Sequence, residues 1–487
     1  MADRREFLTM AGAAALYAAL PATVRASYSS PGRKPNFILI MTDDQGYSDL
    51  GCYGSTTIRT PNIDTMAQEG IRFTDFYDCA SVCSPTRASI MTGCYPKRVG
   101  IADVIHVGDT IALNLNEITL AEILRFGAGY KTACFGKWHL GNTSEYLPPN
   151  QGFDYWYGLP YSNDMSPLSL YRNLTEIGPE TAATLPTLTK RYTEEAVQFI
   201  TNNAANPFFI YCAHSMPHIP IYASEAFAGT SSQGPYGDAC QELDWSTGQI
   251  LQALKNCNLD KDTIVVYLSD NGPWLGLGSD SGTTPFKGGK FSTDEGGFRA
   301  PCIVRWPGTI PAGTVCSEVA STMDFYATFC ALAEVPLPID RVIDSKSILP
   351  LLTNKTGAVS PHDAFLYYDQ TGSCRAIRSG KWKYDSIAGT LYDLSTDPGE
   401  VTNVASTNTA IVSSLNARIQ QLSAEISGNA RPAGNTAAVG PRKTKRYLPS
   451  KPQHRSGRII DLQGRVFKTG HLIKRRRFPR YSIRSRS

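Results

Sequence analysis

The sequence predicts an α/β protein with a large, mostly parallel central sheet and a smaller C-terminal α+β domain. Three short, continuously apolar runs, at 35–41, 207–212 and 263–268, predict strands that are buried on both faces. Helix-like stretches lie between these runs, at 120–126 and 192–202. Because strands that alternate with helices form parallel sheets, this order of elements favours the α/β class.

Polar side chains follow each of the three predicted strands. In chain order these side chains are Asp43 and Asp44, His214 and His218, and Asp270 and Asn271. Ligands of parallel α/β sheets bind beyond the carboxyl ends of the strands. The sequence therefore predicts a functional site at that edge of the sheet.

A smaller domain is predicted at 361–429. Three short segments punctuated by glycine predict an antiparallel meander, at 365–368, 374–378 and 381–384. The following segment, 408–426, predicts an amphipathic helix. Its apolar face consists of Ile411, Leu415, Ile419 and Leu422.

The N-terminus is predicted to be a twin-arginine export signal at 1–26. Arg4 and Arg5 precede a mildly apolar, alanine-rich stretch at 10–20, and Ala26 ends a segment suited to cleavage. An amphipathic N-terminal helix is the alternative interpretation. With an export signal, we expect a bacterial protein that is periplasmic or extracellular.

The charge of the chain is unevenly distributed. The formal net charge is +4, from 47 Lys and Arg residues against 43 Asp and Glu residues. Residues 441–487 contain 16 of the basic residues and one acid, so the rest of the chain is acidic. We predict a basic, disordered tail at 430–487 that binds sulfated polysaccharide, and no binding of nucleic acid. A solvated segment with no binding role is the alternative.

The sequence predicts neither a membrane-spanning helix nor a zinc site. No apolar run approaches the roughly 20 residues that a membrane-spanning helix needs. The twelve cysteines form no CxxC pairs, and we expect most of them to be small, buried hydrophobic residues.

The two acidic pairs at the strand ends predict a different metal site. Asp43 with Asp44, and Asp270 with Asn271, offer oxygen atoms from three carboxylates and one amide. Such ligands suit a hard cation, Ca²⁺ or Mg²⁺, and adjacent acids repel each other unless a cation neutralises them. A solvated Asp-Asp turn and an Asn-Gly turn are the alternative.

Cys83 stands apart from the other cysteines. It begins the segment Cys-Ser-Pro-Thr-Arg, which ends at Arg87, and a stretch of mostly small and apolar residues then leads to Thr92 and Gly93. This pattern resembles the signature of the type I sulfatases, in which the cysteine is oxidised to formylglycine. Without other evidence, a lone cysteine is more often buried packing.

Further segments extend the resemblance over nearly all of the chain between signal and tail. They are Gly136–Gly141 with Lys137 and His139, Pro217–Pro220 with His218, Gly289–Pro301 with Lys290, Leu391–Leu394, and Asp397–Glu400 with Asn403. Tyr161–Asp164 and Tyr236–Ala239 are most similar to the arylsulfatase A and N-acetylgalactosamine-6-sulfatase branch of the family. His214 has no counterpart in the family pattern, and we interpret it as structural.

The resemblance implies an alkaline-phosphatase-like fold, with a catalytic domain at 35–355, and hydrolysis of sulfate esters. A formylglycine-generating enzyme would convert Cys83 before export, and the hydrated aldehyde would attack sulfur. A plain thiol would leave a stable adduct, whereas the second hydroxyl of a diol can expel sulfate. The resemblance also adds residue 83 to the metal ligands and favours Ca²⁺ over Mg²⁺.

The resemblance also implies a role for each remaining site residue, which are Arg87, Lys137, His139, His218, Asp270 and Lys290. The arginine and the two lysines would gather the negative charge of the sulfate, and the lysines and His218 would bind the substrate. Asp270 would take a proton from the diol, His218 would protonate the leaving alcohol, and His139 would deprotonate the remaining hydroxyl. Glu295 and Arg299 would hold their loop.

Two other functions stay open from the sequence. A phosphoester or phosphonate hydrolase of the same superfamily needs a similar cradle for its anion. A non-catalytic binder of sulfated glycans would result if Cys83 were never converted. For a sulfatase, analogy at the level of the fold favours sulfated carbohydrate over an aryl sulfate as the natural substrate.

Overall fold

The computed structural model describes residues 33–276 and 281–438, together with 459–460 and 466–467. The predicted export signal and most of the predicted tail lie outside the described residues. The chain divides into two units after Val439. In the second unit, Ile459–Ile460 pairs antiparallel with Val466–Phe467.

The first unit contains both strands and α-helices. Its strands are β1 (Asn36–Thr42), β2 (Ile71–Phe73), β3 (Phe76–Tyr77), β4 (Ile111–Ala112), β5 (Lys131–Lys137), β6 (Tyr155–Leu159), β7 (Ser169–Arg172), β8 (Thr175–Pro179), β9 (Phe208–Ala213), β10 (Thr263–Ser269), β11 (Cys302–Arg305), β12 (Thr314–Cys316), β13 (Ala320–Ser321), β14 (Phe365–Tyr368), β15 (Cys374–Ser379), β16 (Trp382–Asp385), β17 (Thr390–Asp393) and β18 (Gly434–Asn435). Its α-helices are α1 (Pro61–Gln68), α2 (Cys83–Thr92), α3 (Leu120–Glu122), α4 (Leu188–Asn202), α5 (Gly234–Asn256), α6 (Glu295–Phe298), α7 (Asp324–Leu332), α8 (Leu349–Leu352) and α9 (Thr409–Gly428). Strands and helices alternate around the strands β9 and β10 and form runs of consecutive strands elsewhere.

A ten-stranded mixed sheet forms the centre of this unit, in the order β12-β2-β11-β10-β1-β9-β5-β6-β7-β8. The five strands from β10 to β6 in this order run parallel to one another. The three strands predicted from apolar runs are the neighbours β10, β1 and β9, and all their residues are buried. Burial on both faces explains why these strands are apolar throughout instead of alternating. The predicted α/β class is confirmed.

The two predicted helices are also present. Helix α4 contains the predicted stretch 192–202, and buried residues recur every four positions, at Leu188, Tyr192, Ala196 and Ile200. Helix α3 begins with a reciprocal cap, in which Thr119 Oγ1 accepts from the backbone N–H of Glu122 and the Glu122 side chain accepts from that of Thr119. It continues as a π-helix, Ile123–Gly127. Among the described helices, none is both long and apolar enough to cross a membrane.

The smaller C-terminal part is a four-stranded antiparallel sheet, β14-β15-β16-β17, covered by helix α9. It confirms the predicted meander and the predicted helix, on which Leu415 and Ile419 are buried. Its core includes Phe298 and Met323, which come from the larger part of the chain. The domain limits at 355 and 361 stay predictions.

The prediction of a disordered tail from residue 430 is wrong for residues 430–438. Strand β18 pairs antiparallel with β4, and Gly434 lies opposite Ala112. Arg431 donates from Nε to Glu117 Oε1 at 2.6 Å, and its backbone N–H donates to the carbonyl of Arg98, also at 2.6 Å. The Pro- and Gly-rich composition suggested a linker, but backbone pairing and one ion pair hold this segment to the unit.

Candidate active site

The predicted site residues gather at the carboxyl ends of the five parallel strands. In sheet order, the polar residues at these ends are Asp270 and Asn271 after β10, Asp43 and Asp44 after β1, His214 and His218 after β9, Lys137 at the end of β5, and Ser162 after β6. Thr42 lies opposite Ser269 in the register of β1 and β10, which puts Asp43 and Asp270 beside each other. The geometry agrees with a site at this edge of the sheet.

Cys83 is the first residue of helix α2, every residue of which is buried. Its Sγ atom lies 3.5 Å from Oδ1 of Asp43. Burial raises the pKa of the Cys83 thiol to about 12, and the charge of Asp43 adds to this shift. Since the thiolate is the nucleophilic form of cysteine, an unmodified Cys83 is a poor nucleophile at neutral pH.

Arg87 lies one turn further along α2 and joins three parts of the site. Its buried guanidinium donates to Oδ2 of Asp270, at 2.7 Å from Nη2 and 3.1 Å from Nε. Nη2 also donates to Oδ2 of Asp43 at 3.1 Å, and Nη1 donates to the carbonyl oxygen of Lys137 at 3.0 Å. Because a planar guanidinium fixes these directions, Arg87 holds both carboxyls and the end of β5 in one arrangement.

The carboxyls of Asp43 and Asp270 differ in basicity, although both are fully buried. Burial acts to raise the pKa of Asp43, but the charges of Lys137 and Arg87 hold it below its usual range. Burial, followed by repulsion from Asp43, raises the pKa of Asp270 to about 6. Asp270 is therefore the better proton acceptor of the two.

Cationic side chains balance the three carboxylates of this cluster. Nζ of Lys137 lies 2.6 Å from Oδ2 of Asp43, and Nζ of Lys290 lies 2.7 Å from Oδ2 of Asp44. The guanidinium of Arg87 pairs with the third acid. A divalent cation added to this balanced set would leave an excess of positive charge, which attracts an anion.

His139 presents one ring nitrogen that is free to accept a proton. Its Nε2 lies 2.9 Å from the carbonyl oxygen of Ile105, and because a carbonyl only accepts, Nε2 carries the hydrogen. Nδ1 is buried and has no hydrogen-bond partner among the described residues. Burial, and then the charge of Lys137, lower the pKa of His139 well below its usual value, so the ring is neutral.

His218 presents its other nitrogen to the cluster. Nδ1 lies 2.5 Å from the carbonyl oxygen of Ile219 and therefore carries a hydrogen. Nε2 lies 3.6 Å from Oδ2 of Asp44. Burial lowers the pKa of His218, while the charge of Asp44 opposes this shift. An anion bound beside the ring would favour its protonated form.

The ligand atoms of four side chains lie within 4.8 Å of one another, in Asp43, Asp44, Cys83 and His218. Asn271 donates from Nδ2 to Oδ1 of Asp44 at 2.7 Å, and its own Oδ1 is buried without a partner among the described residues. A buried polar atom usually has a hydrogen-bonding or metal partner, and a bound cation would supply one here. With Asp270 nearby, these oxygens fit a hard divalent cation. His218, predicted at the leaving group, also belongs to this geometric group.

His214 lies outside the cluster, although it also follows β9. Its Nε2 lies 3.2 Å from Oγ of Ser246 and 3.5 Å from Sγ of Cys212. Burial lowers the pKa of His214 to about 4. The neutral ring lies between β9 and helix α5, which agrees with the structural role predicted for it.

Sequence reasoning missed Ser162. Its Oγ accepts a hydrogen bond from Nζ of Lys137 at 3.1 Å and lies 3.4 Å from Nδ1 of His218. It therefore links the cation to the imidazole. A signal was present, because Ser162 lies in the segment Tyr161–Asp164, which resembles the family. Strand β6 lacks the continuous aliphatic run by which the other strands were found.

The loop that carries Lys290 is anchored through Glu295. The buried carboxylate of Glu295 accepts from the hydroxyl of Tyr77 at 2.6 Å and from that of Tyr367, on β14, at 2.7 Å. Nη1 of Arg299 lies 3.4 Å from the same carboxylate. These contacts agree with the prediction that Glu295 and Arg299 hold the loop.

Lys383, on strand β16, joins this loop to the smaller sheet. Its buried Nζ lies 3.2 Å from Oε1 of Glu295 and 2.8 Å from Oε1 of Glu400. It also donates to the carbonyl oxygen of Thr293 at 2.9 Å. A side chain of the smaller sheet therefore fixes the loop that holds Lys290 against Asp44.

Replacing Lys383 with methionine is expected to raise the KM for a sulfate ester about tenfold or more. Methionine leaves Glu295 and Glu400 without their shared cation, which costs about 3–5 kcal/mol of unfolding free energy and releases the loop. Steady-state kinetics and thermal unfolding measure the two effects. The control is Lys381→Met, because Lys381 is half exposed and pairs with Asp393 at the surface. An unchanged KM in a folded Lys383→Met protein would contradict the anchoring role.

Comparisons with known proteins identify the family. Residues 35–335 match the family model "Sulfatase", and residues 289–425 match "N-sulphoglucosamine sulphohydrolase, C-terminal". Human arylsulfatase A is 37% identical over 431 residues, which is 76% of this chain and 83% of the relative. Rat N-acetylgalactosamine-6-sulfatase is 39% identical over 375 residues, or 72% of this chain and 71% of the relative. The structure of Ps i-CgsB in complex with k-i-k-neocarrahexaose is 28% identical, with a TM-score of 0.75, and covers 83% of this chain and 96% of that chain.

The chain belongs to the sulfatase family. It is a sulfuric ester hydrolase with the fold of its structural neighbours, the alkaline-phosphatase-like fold. The family generally uses formylglycine and a divalent metal, and the cluster around Cys83 supplies residues suited to both.

Proposed function

We propose that this sulfatase removes sulfate from sulfated carbohydrate, with a formylglycine made from Cys83 as its nucleophile. The observation that carries the proposal is the position of Cys83. It is buried beside Asp43 in a cluster where Lys137 and Lys290 are aimed at the carboxylates. Because the Cys83 thiol is poorly ionised there, it would be a weak nucleophile. A hydroxyl oxygen of the modified residue does not depend on the ionisation of a thiol.

The proposed metal is Ca²⁺, held by oxygens of Asp43, Asp44, Asp270 and Asn271 and by an oxygen of the modified residue 83. A bound cation would supply charge to neutralise the sulfate and the nucleophile. The unpartnered Oδ1 of Asn271 and the grouped carboxylates of Asp43 and Asp44 support this assignment, and Asp270 lies beside them. Carboxylate and amide oxygens suit Ca²⁺ and Mg²⁺ alike, and the family resemblance favours Ca²⁺.

The chain's own residues would bind the sulfate and move protons. Lys137 and Lys290 would turn their ammonium groups from the carboxylates towards the sulfate oxygens. Arg87 would keep Asp270 in place, and Oδ of Asp270 would take the proton that the hydrated residue 83 loses as it attacks. The formylglycine diol would supply the attacking oxygen from one hydroxyl, and its second hydroxyl would expel sulfate afterwards.

The two histidines would act at opposite ends of the reaction. Nε2 of His218 faces the cluster and would donate a proton to the alcohol oxygen that leaves. Nδ1 of His139 is unpartnered and would accept the proton that must be removed before sulfate departs. The carbonyl of Ile105 fixes the tautomer that leaves Nδ1 free for this task.

The proposed substrate class is sulfated carbohydrate, supported by the similar proteins. One relative is named N-acetylgalactosamine-6-sulfatase, and a structural neighbour was solved in complex with k-i-k-neocarrahexaose. The test is the release of inorganic sulfate from a panel of sulfated mono- and oligosaccharides, with the corresponding phosphate monoesters as comparison. Faster turnover of the phosphate esters would overturn the proposal in favour of a phosphoester hydrolase.

Replacing His218 with alanine is expected to impair carbohydrate sulfates far more than nitrophenyl sulfate. A sugar hydroxyl is a poor leaving group and needs a proton, whereas nitrophenolate hardly needs one. We expect kcat to fall by about 10²–10⁴-fold on the carbohydrate ester and much less on the aryl ester. Equal losses on both substrates would show that His218 only binds.

We also propose export, modification by a formylglycine-generating enzyme, and binding of sulfated polysaccharide by the basic tail. The twin-arginine pattern and the 16 basic residues at 441–487 support these assignments. Ending the chain at Gly440 should leave turnover of a small sulfate ester unchanged and weaken retention on a sulfated polymer, less so at high salt. Loss of small-substrate activity on truncation would contradict a separate tail.

A further inference from the structure

A half-exposed phenylalanine lies at the border between the buried charge cluster and solvent. The side chain of Phe291 is 52% exposed, although it follows Lys290 directly. Its ring centroid lies 5.6 Å from Nζ of Lys290, and that ammonium is in contact with Asp44. The ring is therefore close to the place where a sulfate would bind, and it contributes little to the protein core.

The backbone holds Phe291 in this position against its own preference. Its φ angle is +72°, a left-handed conformation that aromatic residues rarely adopt. Its N–H donates to the carbonyl of Ser81 at 3.0 Å, and its carbonyl accepts from Nε2 of Gln370 at 3.1 Å. Nε2 of Gln370 also lies 3.2 Å from Oγ of Ser81, two residues before Cys83. Such outliers persist where surrounding contacts determine them, and they cluster at ligand sites.

A second exposed apolar side chain lies next to Gly289, the residue before Lys290. Leu275 is 46% exposed, and its Cγ lies 2.8 Å from the position that a Cβ on Gly289 would occupy. The N–H of Lys290 donates to the carbonyl of Pro273 at 2.8 Å, which keeps this segment beside the loop. Lys290 is therefore followed in the chain by one exposed apolar side chain, and the glycine before it is contacted by another.

We propose that a ring of the substrate stacks on the Phe291 ring. The stacked ring is the one that carries the sulfate, and its oxygen becomes the leaving group. The proposal rests on the proposed function. A sulfate held by Lys290 carries its ring towards solvent, where Phe291 is the neighbouring aromatic surface. A pyranose ring has an apolar C–H face that matches an aromatic face, and an aryl ester offers the same contact. Phe291 would thus select cyclic over acyclic sulfate esters.

The test compares the ring-bearing substrate with the bare anion. Phe291→Asn removes the ring and keeps a residue that tolerates a positive φ, whereas Phe291→Tyr keeps the ring. We expect Phe291→Asn to raise KM for a sulfated monosaccharide and for nitrophenyl sulfate about tenfold. Its inhibition constant for inorganic sulfate, which has no ring, should stay within about twofold of the wild-type value, and Phe291→Tyr should resemble the wild type.

Phe126→Asn is the matched control, because Phe126 is 39% exposed and precedes the amino end of β5, at the opposite edge of the sheet. It should leave both constants unchanged. A KM unchanged by Phe291→Asn, or a parallel weakening of sulfate inhibition, would overturn the stacking role, the latter by showing that Phe291 only positions Lys290. A wild-type enzyme that releases sulfate from no ester would instead refute the proposed function.

Discussion

Replacing Cys83 with alanine is expected to abolish the hydrolysis of sulfate esters while the protein stays folded. Alanine suits the first turn of helix α2, and the change removes only the buried sulfur of the cysteine or the oxygen that replaces it in formylglycine, so the cost in stability should be about 1–2 kcal/mol. Activity should fall by more than about 10³-fold, because the nucleophile is lost. Sulfate release and thermal unfolding of the same preparation measure the two effects.

Cys79→Ala is the matched control. Cys79 precedes Cys83 by four residues, is equally buried, and lies with its Sγ 3.1 Å from Oγ of Ser321. Its loss should leave activity near the wild-type level. The intact mass of the peptide that contains residue 83 should show an aldehyde in place of the thiol in active wild-type enzyme. An active Cys83→Ala protein, or full activity with an unmodified thiol, would contradict the proposed mechanism.

Removing divalent metal is expected to abolish activity, and Ca²⁺ should restore it. Chelation leaves three carboxylates among the cations of the cluster, so Lys137 and Lys290 stay bound to Asp43 and Asp44 and are not available to a sulfate. Because a ligand of the native state stabilises it, Ca²⁺ at 100 times its Kd should add about 2.7 kcal/mol to the free energy of unfolding. Thermal unfolding at increasing Ca²⁺ gives this readout without a substrate.

Asn271→Ala tests the ligand set directly. It removes the unpartnered Oδ1, so the Ca²⁺ concentration that stabilises the protein should rise about tenfold or more. Asn202→Ala is the control, since Asn202 is exposed at the end of helix α4. Full activity of metal-free enzyme, or an unchanged Ca²⁺ response in Asn271→Ala, would contradict the assignment.

The sequence predicted those parts of the site whose strands are apolar throughout. Asp43 and Asp270 were identified because each follows a short apolar run that predicts a strand buried on both faces. Ser162 was not predicted as a site residue because the sequence of β6 is Tyr-Trp-Tyr-Gly-Leu, a pattern that does not distinguish a central strand from a loop. The role of Lys137 came from family resemblance, since β5 contains polar residues and a glycine.

Contacts between distant segments were beyond prediction from one sequence. Lys383 meets Glu295 across 88 positions of the chain, and no local pattern marks a lysine of a meander as a buried ion-pair partner. The pairing of Gly434 with Ala112 is similar, because two-residue strands carry no periodicity. The family resemblance predicted which residues belong to the site, but the tertiary fold determines which buried charges are in contact.

The anchoring of the Lys290 loop on the smaller sheet has a consequence for building chimeras between sulfatases. A junction placed at 355–361, between the predicted domains, would pair Glu295 of one parent with Lys383 and Glu400 of the other. A junction before residue 289 would instead transfer the loop, its anchor and the sheet together, and the second family model also begins at residue 289. The unit that can be exchanged intact is therefore longer than the C-terminal domain, and it includes Lys290, the proposed ligand of the sulfate.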